Sequence, residues 1–210
     1  AGSNLEGLGL QPTRLQGGVL PDLWTLPSGS GAVSEVDGFH EGRFWVMDAA
    51  AAKVADAVVA ATPIGGKGLD ACAAPGGKTF RMTASGLTVT PVDVSPDRLK
   101  RLRENAARLR VPVQPIAHDW LVGPLEGSQQ YDSVLVDAPC TGLGTVRRHP
   151  EIIWRRQPGD PAAMGIGQRT ILSNAAKHVR PGGRLFYAVC SMEPEEGAEV
   201  AGSLDGWSVE

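Results

Sequence analysis

Two cysteines stand where a thiol could do chemistry: Cys140 in Asp-Ala-Pro-Cys-Thr-Gly and Cys190 in Tyr-Ala-Val-Cys-Ser-Met. Each follows a short apolar run that reads as a buried strand, so both thiols should reach the same edge of one sheet. An isolated cysteine at a strand end is most often a small buried hydrophobe. Two of them, one on a loop stiffened by Pro139, argue instead for covalent catalysis by a thiolate. No His-Asp pair accompanies them, which counts against a thiol hydrolase. The third cysteine, Cys72, lies in Asp-Ala-Cys-Ala-Ala-Pro-Gly-Gly-Lys-Thr, a glycine-rich turn after another apolar run, where open α/β sheets bind nucleotide-like cofactors.

Pro75-Gly76-Gly77-Lys78-Thr79 ends like a phosphate-binding loop, with Val134 to Asp137 as the strand whose aspartate would help hold magnesium. That pattern needs a glycine where this chain has Cys72, and Pro75 interrupts it, so an NTPase is the weaker reading. The turn would still let backbone N–H groups approach a ligand carboxylate or ribose. Asp93, ~20 residues further on, stands where an acidic side chain accepts hydrogen bonds from ribose hydroxyls. Asp119, between His118 and Trp120, is less specific and could simply cap a turn.

These residues need a scaffold that gathers them. An alanine-rich stretch from Asp48 to Thr62 reads as a helix ended by Pro63 and Gly65-Gly66. Strands are expected at Gly68 to Cys72, Leu87 to Val94, Val113 to Ile116, Tyr131 to Val136 and Arg184 to Val189. Ser95-Pro96 opens a helix that runs through Arg98 to Leu109. Strands alternating with helices imply a doubly wound, mostly parallel α/β sheet whose ligand lies beyond the carboxyl ends of the strands. Cys72, Asp93, Asp119, Asp137 and Cys190 would then share one rim. Residues 1–45, rich in Gly, Pro and Ser, read as an N-terminal linker or small strand-containing extension, with Leu23 to Leu26 and Phe44 to Val46 as its short apolar stretches. Residues 46–210 form the main domain.

The chain has 210 residues, 42% hydrophobic and 20% charged, enough for one well-buried domain. A net charge of −3 argues against nonspecific nucleic-acid binding. Local basic faces exist nonetheless: Arg98, Lys100, Arg101, Arg103, Arg108 and Arg110 on one helix, and Arg147, Arg148, His149, Arg155 and Arg156 directly after the Cys140 loop, where an incoming polyanion needs phosphate contacts. Three cysteines without a Cys-x-x-Cys spacing fit neither a disulfide framework nor a zinc site, and they favour a reducing, cytoplasmic setting. No apolar stretch approaches membrane-spanning length, and no metal site is expected. The first residue is not Met, so the numbering is expected to begin after a trimmed or missing segment.

Asp70 to Thr79, Val92-Asp-Val-Ser-Pro-Asp-Arg-Leu99, Asp137 to Gly142 and Tyr187-Ala-Val-Cys-Ser-Met-Glu-Pro-Glu-Glu196 together resemble the Sun/NSUN family of S-adenosylmethionine-dependent RNA cytosine-C5 methyltransferases. Arg147-Arg-His-Pro-Glu-Ile-Ile-Trp154 and Gly38 to Val46 resemble the branch that modifies bacterial small-subunit ribosomal RNA. The resemblance implies a class I methyltransferase (Rossmann-like) fold and a monomer acting on RNA. It implies that Cys72, Ala73, Ala74, Pro75, Gly76, Gly77 and Lys78 wrap the cofactor, that Asp93 holds its ribose and that Asp119 contacts its adenine. Asp137 would lie between cofactor and target base. Cys190 would be the nucleophile that adds to cytosine C6, with Cys140 assisting product release.

The chain departs from the family's pattern at Val189, where a Thr is usual, at Gly197, where an Asn is usual, and at Met47, where a Gln is common. It also ends where the family continues into a final antiparallel hairpin, so that hairpin is expected to be incomplete and the fifth strand exposed. The rival reading is a noncatalytic RNA-binding or ribosome-assembly module that has kept the fold.

Overall fold

The computed structural model describes residues 11–15, 18–25 and 31–209. Strands β1 (Gln11–Leu15) and β2 (Gly18–Thr25) form an antiparallel pair. Most of the expected N-terminal extension before residue 31, Leu26 included, lies outside the described residues. Phe44 to Val46 forms no strand. Phe44 is buried instead, and Trp45 meets Phe80 edge-on with ring centroids 6.3 Å apart.

Helix α1 (Ala49–Ala61) starts at Asp48, whose Oδ1 accepts the Ala50 N–H at 2.7 Å. There follow β3 (Lys67–Asp70), α2 (Gly77–Ala84), β4 (Thr88–Asp93), α3 (Pro96–Leu109), β5 (Ile116–Ala117) and β6 (Tyr131–Asp137). The chain then runs through α4 (Ile152–Arg155), α5 (Asp160–Ala176), β7 (Val179–Ala188) and α6 (Ala198–Ala201). The five-stranded sheet has the order β5-β4-β3-β6-β7 with every neighbouring pair parallel.

Alternation along β6 shows why helices must cover both faces. Val134 and Val136 pack with Ile171, Leu172 and Ala175 of α5, whereas Leu135 packs with Ala55, Val58 and Met82 of α1 and α2. The third strand is shorter and later than expected. Pro112 and Pro115 have no N–H to give a ladder, so pairing with β4 starts only at Ile116. The fifth starts earlier, at Val179, and ends at Ala188. It is one of the two edge strands of the sheet, and all of its residues are partly or fully exposed.

The chain winds outward from β3 through β4 to β5, then returns to lay β6 on the other side of β3. That reversal opens a crevice at the carboxyl ends of β3 and β6. In register, Asp70 faces Leu135, Asp93 faces Ala117 and Asp137 faces Ala188, which sets three acidic strand ends along one rim.

Candidate active site

The glycine-rich turn is held from both sides. The Ala73 N–H bonds to the Val92 carbonyl at 2.8 Å and the Ala74 N–H donates to Asp93 Oδ2 at 3.1 Å. Arg98 donates to the Ala74 carbonyl and pairs with Asp93 at 3.3 Å. Asp93, 2% exposed, also accepts the Ser95 N–H through Oδ1, so it braces the loop while Oδ1 keeps a lone pair for a further donor. Gly76 has φ +112°, and a Cβ there would lie 2.4 Å from the buried Phe80 ring. Only glycine lets the chain turn this tightly into α2.

Three features of this loop fit the donor group that the resemblance implies. The first-turn N–H groups of α2 have no intrahelical partners, which suits a carboxylate. Asp70 is 1% exposed; its Oδ2 accepts the Thr79 hydroxyl at 2.6 Å, while its Oδ1 is buried without a partner. Burial pushes its pKa up to about 6, Asp137 and Asp93 raising it further while Thr79 and Lys78 oppose. A ligand ammonium would relieve that cost. Asp93 Oδ1, with the Ser95 N–H as its one recorded partner, has an acceptor site left that suits a hydroxyl. By contrast, Thr79 is fully buried against Asp70 and Lys78 is ion-paired with Asp137, so neither is free for the nucleoside triphosphate and magnesium of the NTPase reading.

Across the crevice, Cys140 on the loop after β6 and Cys190 two residues beyond β7 bring their sulfurs to 3.1 Å. The β6–β7 ladder extends into this loop through the Ala138 N–H to the Ala188 carbonyl, and the Gly144 N–H donates to the Cys190 carbonyl at 3.0 Å. Cys140, the less exposed of the two, is raised above an ordinary thiol by its hydrogen bond to Cys190 and by burial. Cys190 is pulled down to about 6, chiefly by accepting that bond, with burial and Asp137 opposing and Lys78 assisting. The opposite directions of the two shifts make Cys140 the donor and Cys190 the acceptor of the bond between them. Cys72 differs: its burial, with Asp70, Asp93 and Asp137 nearby, pushes it up to about 12 and it packs against the core.

Asp119 lies past the end of β5, and its Oδ1 accepts the Leu121 N–H at 2.9 Å, as a turn cap does. The basic α3 divides. Arg98 serves the loop; Arg108 lies 4.0 Å above the Phe39 ring and donates to the Phe39 and Phe44 carbonyls; Lys100, Arg101, Arg103 and Arg110 are exposed. In the second cluster Arg147, His149 and Arg155 are exposed, Arg148 pairs with Asp48, and Arg156 donates to the Thr141 carbonyl at 3.0 Å. Sequence reasoning gave no role to Asp70 or Glu196, although both fall inside quoted motifs, and it missed Gln168 because it named no helix there. Among the described residues no group of His, Cys, Asp and Glu is placed to hold a metal ion, and no helix is long and apolar enough to cross a membrane.

A parallel sheet in this order, a braced glycine turn at β3 and acidic residues at the ends of β3, β4 and β6 define the class I methyltransferase fold. Residues 62–204 match the sequence model of the 16S rRNA methyltransferase RsmB/F family, and the chain belongs to that family. It is 42% identical over 175 residues to ribosomal RNA small subunit methyltransferase B of Pasteurella multocida, a match covering 80% of this chain and 39% of that protein. The chain thus spans about two fifths of the length of this curated relative. Among solved structures it resembles PH0851 (TM-score 0.82, 31% identity, 94% of this chain and 44% of that one). It also resembles NSun6 from Pyrococcus horikoshii with SFG (TM-score 0.72, 29% identity, 88% and 46%).

Proposed function

We propose that this chain carries the catalytic unit of an RNA cytosine-C5 methyltransferase that uses S-adenosylmethionine, with small-subunit ribosomal RNA as its substrate class. The observation that carries this reading is the thiol pair at 3.1 Å beside the Lys78–Asp137 ion pair. Cytosine C5 is a poor nucleophile, so a carbon–sulfur bond must first form at C6. Cys190, held as a thiolate, supplies the electron pair for it. The bound donor supplies an electrophilic methyl group. Asp70, Asp93 and the α2 N-terminus hold that donor, and Ala73 to Lys78 wrap it. Asp137, oriented by Lys78, faces the N3/N4 edge of the base. Release requires loss of the C5 proton as the carbon–sulfur bond breaks and Cys190 leaves as thiolate; Cys140, having given its own proton to water once Cys190 is bound to C6, accepts the C5 proton as a thiolate. The target base has to be unpaired or flipped out of its stack to reach the thiols.

Membership in a ribosomal RNA methyltransferase family supports the substrate class, and the exposed Arg147, His149 and Arg155 next to the thiol loop support a phosphate-bearing partner. The three free cysteines are consistent with a reducing cytoplasm.

The test is a denaturing gel. Cys140→Ala protein, incubated with S-adenosylmethionine and unmodified small-subunit ribosomal RNA, should accumulate a covalent protein–RNA band that the Cys140→Ala/Cys190→Ala double variant does not form. A band independent of Cys190, or none from folded protein that binds the donor, would overturn the reading.

A further inference from the structure

Glu196 is fully buried, six residues beyond Cys190, and no Lys or Arg pairs with it among the described residues. A buried carboxylate is costly unless donors surround it. Its Oε1 accepts the Thr141 N–H at 2.8 Å and the Gln168 amide at 3.1 Å, and its Oε2 accepts the Thr141 hydroxyl. Burial alone would raise its pKa, but Ser191, Thr141 and Gln168 outweigh that and hold it below the usual range. The same Gln168 amide donates to the Pro139 carbonyl at 2.9 Å. Tyr187 donates to the Glu196 carbonyl at 2.6 Å and approaches Gln168 Oε1 at 3.1 Å. Both neighbours of Cys140 are thus tied to the segment that follows Cys190. Gly165 permits this, since a Cβ there would lie 2.3 Å from the Glu195 carbonyl and push α5 away.

We infer that Glu196 is a positioning residue: with Gln168 it clamps Pro139 and Thr141, and so sets the distance from Cys140 to Cys190. The inference deepens the methyltransferase reading, but its test uses neither RNA nor donor. The groups facing Cys190 are Cys140 and Asp137 from β6 and its following loop and Lys78 from α2; Tyr187 of β7 faces Glu196. Loosening the clamp therefore acts on Cys190 by way of Cys140 and of Ser191, its own neighbour, whose hydroxyl lies 3.3 Å from that of Thr141.

The experiment measures Cys190 alkylation by iodoacetamide across pH, beside S-adenosylhomocysteine binding and thermal unfolding. In Glu196→Ala the midpoint should rise by at least one unit, slowing alkylation below neutral pH by about tenfold. Binding of S-adenosylhomocysteine, whose loop lies across the crevice, should stay within about twofold of wild type, since coupling falls off between separate sites. Glu196→Gln keeps one acceptor, and the Thr141 hydroxyl can turn to accept, so it should restore most of the wild-type profile. Thr141→Val, nearly isosteric, should shift the midpoint in the same direction by less, and it carries the comparison if Glu196→Ala does not fold. An unchanged midpoint in folded Glu196→Ala or Thr141→Val, or loss of S-adenosylhomocysteine binding in parallel with alkylation, overturns the inference. A shifted midpoint in protein that never forms an RNA adduct would instead overturn the methyltransferase reading alone.

Discussion

Cys140 and Cys190 act as a unit, because the hydrogen bond between their sulfurs raises the pKa of one and lowers that of the other. A group lowered to about 6 is mostly thiolate at pH 7, whereas an ordinary thiol is only a few per cent ionised there. Removing Cys140 removes the largest lowering cause, so in Cys140→Ala the pH midpoint for Cys190 alkylation should move up toward that of a free thiol. Alkylation at pH 7 should then slow about tenfold or more, as measured by mass spectrometry of the modified peptide. The covalent RNA band should correspondingly form more slowly in that variant but persist, since its release step is lost. The sequence makes both thiols legible through the motifs around them. It does not make Glu196 legible as their support: Pro-Glu-Glu spells the residue without revealing that it is fully buried, and its partner Gln168 has no motif at all.

At the level of elements, local chemistry predicts α1, α3 and four of the strands well. Asp48 and Ser95 cap the two helices as their residue types suggest, and alternation along β6 reads out directly as two buried faces. The failures have physical causes. Val113 to Ile116 looks like a strand, but Pro112 before it and Pro115 within it remove the donors it needs. Helix α5 carries Gly165 and Gly167, which weaken helix propensity, yet Gly165 is what allows close approach to Glu195. Helix α3 ends at Arg110 with φ 58°, a left-handed conformation that a side chain adopts at a cost. Arg110→Gly should therefore stabilise the protein by about 0.5–1 kcal/mol, the relief of strain exceeding the extra chain entropy, and a higher urea midpoint with an unchanged slope would verify it.

On the scale of the whole molecule, the net charge of −3 conceals a division of labour among basic residues: some brace the scaffold, as Arg98 and Arg108 do, and others such as Arg147 and Arg155 face solvent. The doubly wound topology is legible from the alternation of strands and helices. The course of the sheet around β3 is not, because which side β6 joins depends on contacts between residues far apart in sequence. That order has a genetic corollary. Everything proposed to grip the donor precedes Leu121, and both thiols with their clamp follow Tyr131, so kinetic phenotypes should sort by position along the chain. Asp93→Ala should mainly raise the donor KM, whereas Glu196→Ala should mainly slow adduct formation. Lys78 breaks the sorting, since its ion pair with Asp137 spans the crevice. Lys78→Met should degrade both quantities together, and steady-state donor KM measured beside single-turnover adduct rates would show it. The linear map of mutations would then have one point at which its two territories meet.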